Sequence, residues 1–179
     1  MRRLADPERI RRLMAALGAQ ADADARVYFA GGATAVLNGW RSSTIDVDIK
    51  IVPERDRLFR AIPEIKERLQ INIELASPAD FIPVRPGWED RSPFIARESR
   101  ISFHHFELVA QTLSKIERGH AQDLEDVQTM LARNLVTRAG LLEYFDAIEP
   151  ALYRYPAIDA KTFRAAVEQI VHTEKGDRG

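Results

Sequence analysis

Phe29-Ala30-Gly31-Gly32-Ala33, followed after a short loop by Arg41-Ser42-Ser43-Thr44-Ile45-Asp46-Val47-Asp48-Ile49, decides how this chain is read. The first stretch closes the run 26–30 with a glycine pair, which predicts a buried strand ending in a tight turn. The second alternates. In an extended strand, side chains at i and i+2 share a face, so Asp46 and Asp48 project together while Ile45, Val47 and Ile49 point the other way. Two like charges on one face repel, and a cation neutralises them; carboxylate oxygens are what a hard ion such as Mg2+ selects. Taken alone, an Asp-x-Asp also fits an exposed edge strand with its polar side outward.

Working outward, residues 33–37 predict a short helix closed by Asn38-Gly39, and the Asp strand ends at Pro53. Upstream, Asp6 is an N-cap with Pro7 at the first helical position; Ile10, Leu13, Met14 and Leu17 give one apolar face, and Gly18 is the expected stop. Residues 55–69 carry helical periodicity, interrupted or kinked near Pro63. The run 71–75 alternates as a third strand, with Asn72 and Glu74 on one face. Four prolines (Pro78, Pro83, Pro86, Pro93) mark 77–93 as mostly loop, and 100–106 is a fourth strand. Helical periodicity then fills 107–117, 122–133, 137–148 and 158–172. Strands first and helices last make the class α+β. The expected organisation is a core with its N-terminal helix over 1–106, a helical region packed on it over 107–173, and a tail over 174–179.

With 179 residues the chain fits one ordinary domain, and a formal net charge of -1 argues against wholesale coating of nucleic acid. Any polyanion must therefore meet a local basic patch. The absence of cysteine excludes disulfides, zinc-thiolate sites and thiol nucleophiles, which fits a cytoplasmic protein. No apolar run approaches the length that spans a bilayer, so neither secretion nor membrane insertion is expected.

A glycine turn, an Asp-x-Asp strand and a carboxylate on a third strand are what two-metal phosphoryl transfer requires. In that chemistry Asp46 and Asp48 hold Mg2+ or Mn2+, Glu74 completes the ligand set, and Gly31 and Gly32 let backbone amides approach phosphate oxygens. These residues resemble the nucleotidyltransferase superfamily related to DNA polymerase β, whose signature is an apolar residue, Gly, Gly or Ser, a spacer, then Asp-x-Asp or Asp-x-Glu. More narrowly, Arg41-x-x-Thr44-x-Asp46-x-Asp48 with Lys115 and Asp123-Leu124-x-Asp126 is similar to AbiEii-like nucleotidyltransferases, and Asn72-Ile73-Glu74, the segment from Ser77 to Pro83 and Lys115-Ile116-Glu117-Arg118-Gly119 resemble small bacterial proteins of undefined function that are labelled nucleotidyltransferases by homology.

The resemblance spans residues 27–131. It implies a mixed sheet flanked by helices, with catalytic and metal-binding Asp46, Asp48 and Glu74. Nucleotide contacts would come from Gly31, Gly32, Arg41, Ser43, Thr44, Lys115 and Asp126. The implied partners are an NTP, an acceptor hydroxyl on tRNA or protein, and an antitoxin, since many AbiEii-like proteins are toxins. Two departures stand out. The serine common at the second glycine position is Gly32 here, which removes one phosphate-binding hydroxyl unless Thr34, Ser42 or Ser43 replaces it; and Gln122 stands where an arginine is frequent.

Several residues also have plainer readings. Glu74 and Arg41 can be a solvent-facing acid and an ion-pair partner. Asp80 is expected to fix the proline loop, and Trp40 and Trp88 to anchor loops by packing. His104 and His105 are adjacent on a strand and point to opposite faces, which argues against one shared metal. A non-catalytic nucleotide-binding or protein-interaction module of the same fold is the rival to an enzyme.

Overall fold

The computed structural model describes residues 3–173; the tail expected over 174–179 lies outside the described residues. Two compact units divide the chain. One contains the residues up to Ser77 together with Glu89–Phe106, and the other contains Pro78–Trp88 and the chain from Glu107 onward.

The first unit is an α+β sheet unit built from α1 (Pro7–Gln20), β1 (Ala25–Ala30), α2 (Gly32–Leu37), β2 (Asp46–Val52), α3 (Asp56–Leu69), β3 (Asn72–Glu74), β4 (Phe94–Glu98) and β5 (Ile101–His105). Strand order is β3-β2-β1-β5-β4. β1 runs antiparallel to β2 and parallel to β5, β2 is parallel to β3, and β4 is antiparallel to β5. Period-2 alternation sorts the residues. Val27, Phe29, Val47, Ile49, Ile51, Ile73, Ile101 and Phe103 enter one core with Ile10, Leu13, Met14 and Leu17 of α1 and Leu58, Ile62 and Ile65 of α3. Arg26, Tyr28, Asp46, Asp48, Lys50, Asn72, Glu74, Ser102 and His104 therefore occupy the other face.

Helix α1 starts as expected, with the Asp6 side chain accepting from the Arg9 amide at 2.8 Å. It does not stop at Gly18. That residue is buried inside the helix, where a Cβ would lie 2.7 Å from Glu98 Cβ and 2.8 Å from its carbonyl oxygen, so the glycine lets α1 lie against the backbone of β4. Helix α3 likewise runs through Pro63, at the cost of the hydrogen bond that this residue cannot donate. Strand β4 has no sequence counterpart in the expectations: it is an edge strand, interrupted between Phe94 and Ala96, without a buried alternate row.

His105 ties β5 to α2. Its Nδ1 lies 3.0 Å from Thr34 Oγ1 and its Nε2 3.3 Å from Asn38 Nδ2. The amide can only donate, which makes Nε2 the acceptor and Nδ1–H the donor. The Thr34 hydroxyl in turn faces the Phe29 carbonyl, two residues before the glycine turn.

The second unit holds α4 (Leu108–Arg118), α5 (Ala121–Ala132), α6 (Arg138–Ile148) and α7 (Ala160–His172), with a 3-10 segment Glu149–Arg154. Phe145 and Phe163 meet edge to face at 5.0 Å. The proline segment belongs here: Tyr155 Oη donates to the Ala79 carbonyl at 3.1 Å, and the Arg85 amide donates to Tyr144 Oη at 2.9 Å. Gly119, at a φ of +69°, closes α4. Lys115 and Asp126 thus lie on successive helices, joined at 2.8 Å and both buried. Asp123 lies 3.8 Å from Lys115 Nζ and takes two bonds from Arg118. Burial by itself raises the Asp123 carboxyl, but the Arg118 guanidinium and Lys115 ammonium bring it below the usual range.

Two predictions follow from these buried groups. Burial, with His104 nearby, pushes His105 from 6.5 down to about 4. The unfolded chain therefore binds a proton that the folded chain refuses between those values. Stability contains no such penalty above pH 6.5, falls as pH drops toward 4, and levels below it, by roughly 3 kcal/mol in all. Urea unfolding at pH 7 and pH 4.5 should show a steeper loss for wild type than for His105→Asn; equal losses would contradict the assignment. In the helical unit, Asp126→Ala leaves the buried Lys115 ammonium with the longer, 3.8 Å approach to Asp123 and should cost ~3 kcal/mol or more by urea titration. The paired change Asp126→Leu with Lys115→Met should recover most of it.

Candidate functional site

Strand β1 ends at Ala30, opposite Asp48 of β2. Asp46 lies beyond the end of that pairing and faces Asn72 of β3, while Glu74 faces Asp48. Asp46, Asp48, Asn72 and Glu74 thus share one face at the end of the sheet, beside the turn into α2. Asp46 and Asp48 are half-buried and Glu74 is exposed.

The glycine turn is shaped by what fills the space of two missing Cβ atoms. Gly31 has φ +62°, a conformation that L side chains rarely adopt, and a Cβ there would lie 2.9 Å from Asp48 Oδ2. At Gly32 a Cβ would stand 2.0 Å from Thr44 Oγ1 and 2.7 Å from Thr44 Cβ, with Arg41 Nη1 at 3.2 Å. Thr44 thus places a hydroxyl beside the turn. Thr34 is directed instead toward His105. Thr44 is fixed on two sides. Its backbone pairs with Ala5 in both directions, at 2.8 and 2.9 Å, and its hydroxyl donates to the Asp46 carbonyl at 3.1 Å. Ser43 occupies the same loop, half-buried.

On β3, Asn72 Nδ2 donates to Asp46 Oδ1 at 2.6 Å and reaches Glu74 Oε1 at 3.3 Å. Among the described residues, no group of three or more His, Cys, Asp or Glu side chains is gathered into a metal cage. Mg2+ does not need one: it is commonly held by one or two carboxylates and the phosphates of its substrate, keeping waters elsewhere. Asp46 and Asp48 supply two hard oxygen donors on one face, with Asp48 directly against the turn, so the donor set fits such an ion.

The structure brings Gly31, Gly32, Arg41, Thr44, Asp46 and Asp48 together and places Glu74 beside them across β3. Lys115 and Asp126 meet each other within the helical unit. Sequence reasoning put Asn72 and Glu74 on one face but missed the bond from Asn72 to Asp46, because the register between β2 and β3 is not encoded locally. A cleft of about 410 Å3 lies at the far end of β1, lined by Arg26, Arg97 and Arg100 among others. Its charges are largely met from within: Arg100 Nε lies 3.0 Å from Asp24 Oδ1 and Arg26 Nη1 3.7 Å from Asp90 Oδ1. Among the described residues, no helix is long and apolar enough to cross a membrane.

Gly32 has no positive φ, so its need for glycine is steric alone. Gly32→Ala should cost roughly 1–3 kcal/mol by overpacking. Removing the obstacle with Thr44→Gly should make the double variant less destabilised than the sum of the two, by about 1 kcal/mol or more in a urea double-mutant cycle. Strict additivity would show that the two residues do not compete for this space.

Comparison with known proteins then gives one result. The family described as "nucleotidyltransferase of unknown function (DUF6036)" matches residues 7–175. No curated protein and no solved structure matches the chain.

Proposed function

Because the chain belongs to the DUF6036 family of nucleotidyltransferases of unknown function, we propose that it moves a nucleoside monophosphate from an NTP to an acceptor hydroxyl. The observation that carries this reading is the contact of the Gly31 turn with Asp48, where a Cβ would lie 2.9 Å from the carboxylate. A phosphate-cradling turn and a cation-binding pair are thereby one structure.

In the proposed reaction, the acceptor oxygen forms a bond to the α-phosphorus, the bond from that phosphorus to the β-bridging oxygen breaks, and pyrophosphate leaves. Backbone amides at the turn and the Arg41 guanidinium bind phosphate oxygens, Arg by its planar fork. Asp46 and Asp48 hold Mg2+ or Mn2+, which when bound supplies charge stabilisation at the phosphates. Glu74, exposed on the neighbouring strand, would complete the ligand set of that ion and take the proton of the attacking hydroxyl. Thr44 supplies the hydroxyl beside the turn. The mutual burial of Lys115 and Asp126 supports a structural part for that pair in the helical unit. The acceptor is tRNA or protein, and a toxin role with an antitoxin partner is carried only by the likeness to AbiEii-like proteins.

The test uses the four α-phosphate-labelled NTPs with Mg2+ or Mn2+ and bacterial extract. Wild type should label RNA or protein, and the Asp46→Asn, Asp48→Asn double variant should lose at least ~100-fold, since even outer-shell losses at metal sites reach that scale. Labelling that survives both substitutions sinks the proposal. NTP binding without any product would instead identify a non-catalytic nucleotide-binding module.

A further inference from the structure

We propose that Asn72 is a positioning residue for Asp46, holding one carboxylate oxygen and leaving the other for the cation; this rests on the reading of Asp46 and Asp48 as the cation site. Parallel pairing sets Asn72 opposite Asp46 and Glu74 opposite Asp48. The Asn72 amide nitrogen lies 2.6 Å from Asp46 Oδ1 and 3.3 Å from Glu74 Oε1. Only the NH2 end can face these oxygens, because the amide oxygen would meet them acceptor to acceptor, and its two hydrogens serve two carboxylates.

The choice of an amide has a physical consequence. Three carboxylates share this face, and an arginine or lysine at 72 would neutralise Asp46 and take the place of the cation. Lys115 does this to Asp126 in the helical unit, at 2.8 Å. A neutral donor orients the carboxylate and leaves its charge uncompensated. It also draws the Glu74 carboxyl toward Asp46 through a shared nitrogen, which fixes the spacing of the acids that the turn and its phosphates would meet. Thr44 secures the backbone of Asp46, and Asn72 secures its side chain, so the two contacts are complementary.

The deciding measurement is Mn2+ binding, read by loss of the free-ion EPR signal, with a non-hydrolysable α,β-methylene NTP present and a nucleotide-only control. Wild type is compared with Asn72→Leu, which keeps the shape and removes the donor, and with Asn72→Ala, which covers a folding failure of the first; circular dichroism checks both. Mn2+ affinity about tenfold or more weaker in the folded variants is expected, the scale seen when a metal ligand loses the hydrogen-bond partner that orients it. Affinity unchanged within twofold, with Mn2+ bound to wild type, overturns the role of Asn72 and leaves the cation site standing. No protein-dependent Mn2+ binding by wild type overturns both.

Discussion

Two absent Cβ atoms govern the site. At the end of β1 the chain must turn sharply into α2 while β2 passes alongside, and the space that side chains at 31 and 32 would fill is taken by Asp48 Oδ2 and Thr44 Oγ1. The two glycines answer different demands. Gly31 supplies a positive φ as well as room. Gly32 supplies room alone, and through that room the loop carrying Arg41 and Thr44 closes on the turn. The Ala5–Thr44 pairing holds the loop from its other side, so the segment before α1 takes part in fixing the site although no functional residue lies in it.

Charge separates two of the acidic groups of this protein. Asp123 and Asp126 are buried, and Lys115 and Arg118 neutralise them in place. Leaving either partner without the other would strand a charge in a low-dielectric setting, which is why such pairs come complete. Asp46 and Glu74 lie on a half-open face and are met there by a neutral amide. Spacing in sequence does not make this distinction, since Asp-x-Asp and Asp-x-x-Asp both recur in structural roles; the partners within reach make it.

Local patterns carried much of the fold. The alternation of 46–52 and 71–75, the Asp6-Pro7 helix start and the four C-terminal helical periods all correspond to observed elements, because each is written in residues a few positions apart. Contacts between segments were not legible. Gly18 reads as a helix stop until β4 is seen beneath it, and β4 itself lacks the buried alternate row by which a strand is recognised. The same limit hid the competition of Thr44 with a side chain at 32, and the bond from Asn72 to Asp46. Lys115 and Asp126, eleven positions apart, fall in the separate helical periods 107–117 and 122–133, and the left-handed Gly119 ends the first of the two helices.

The register that builds the core also builds the site. Val47, Ile49 and Ile51 enter the hydrophobic cluster only if Asp46, Asp48 and Lys50 take the opposite face, and a slip of one residue would exchange the two sets. Burial of the three aliphatic side chains, each worth roughly 1.5–3 kcal/mol, therefore fixes the direction of the carboxylates between them. On β3 the same holds with one anchor: Ile73 is buried, and its neighbours Asn72 and Glu74 are turned toward Asp46 and Asp48. The sheet thus supplies from its apolar side the force that directs its polar side chains, and the like charges of Asp46 and Asp48 are held on one face by the burial of the residues between and beyond them.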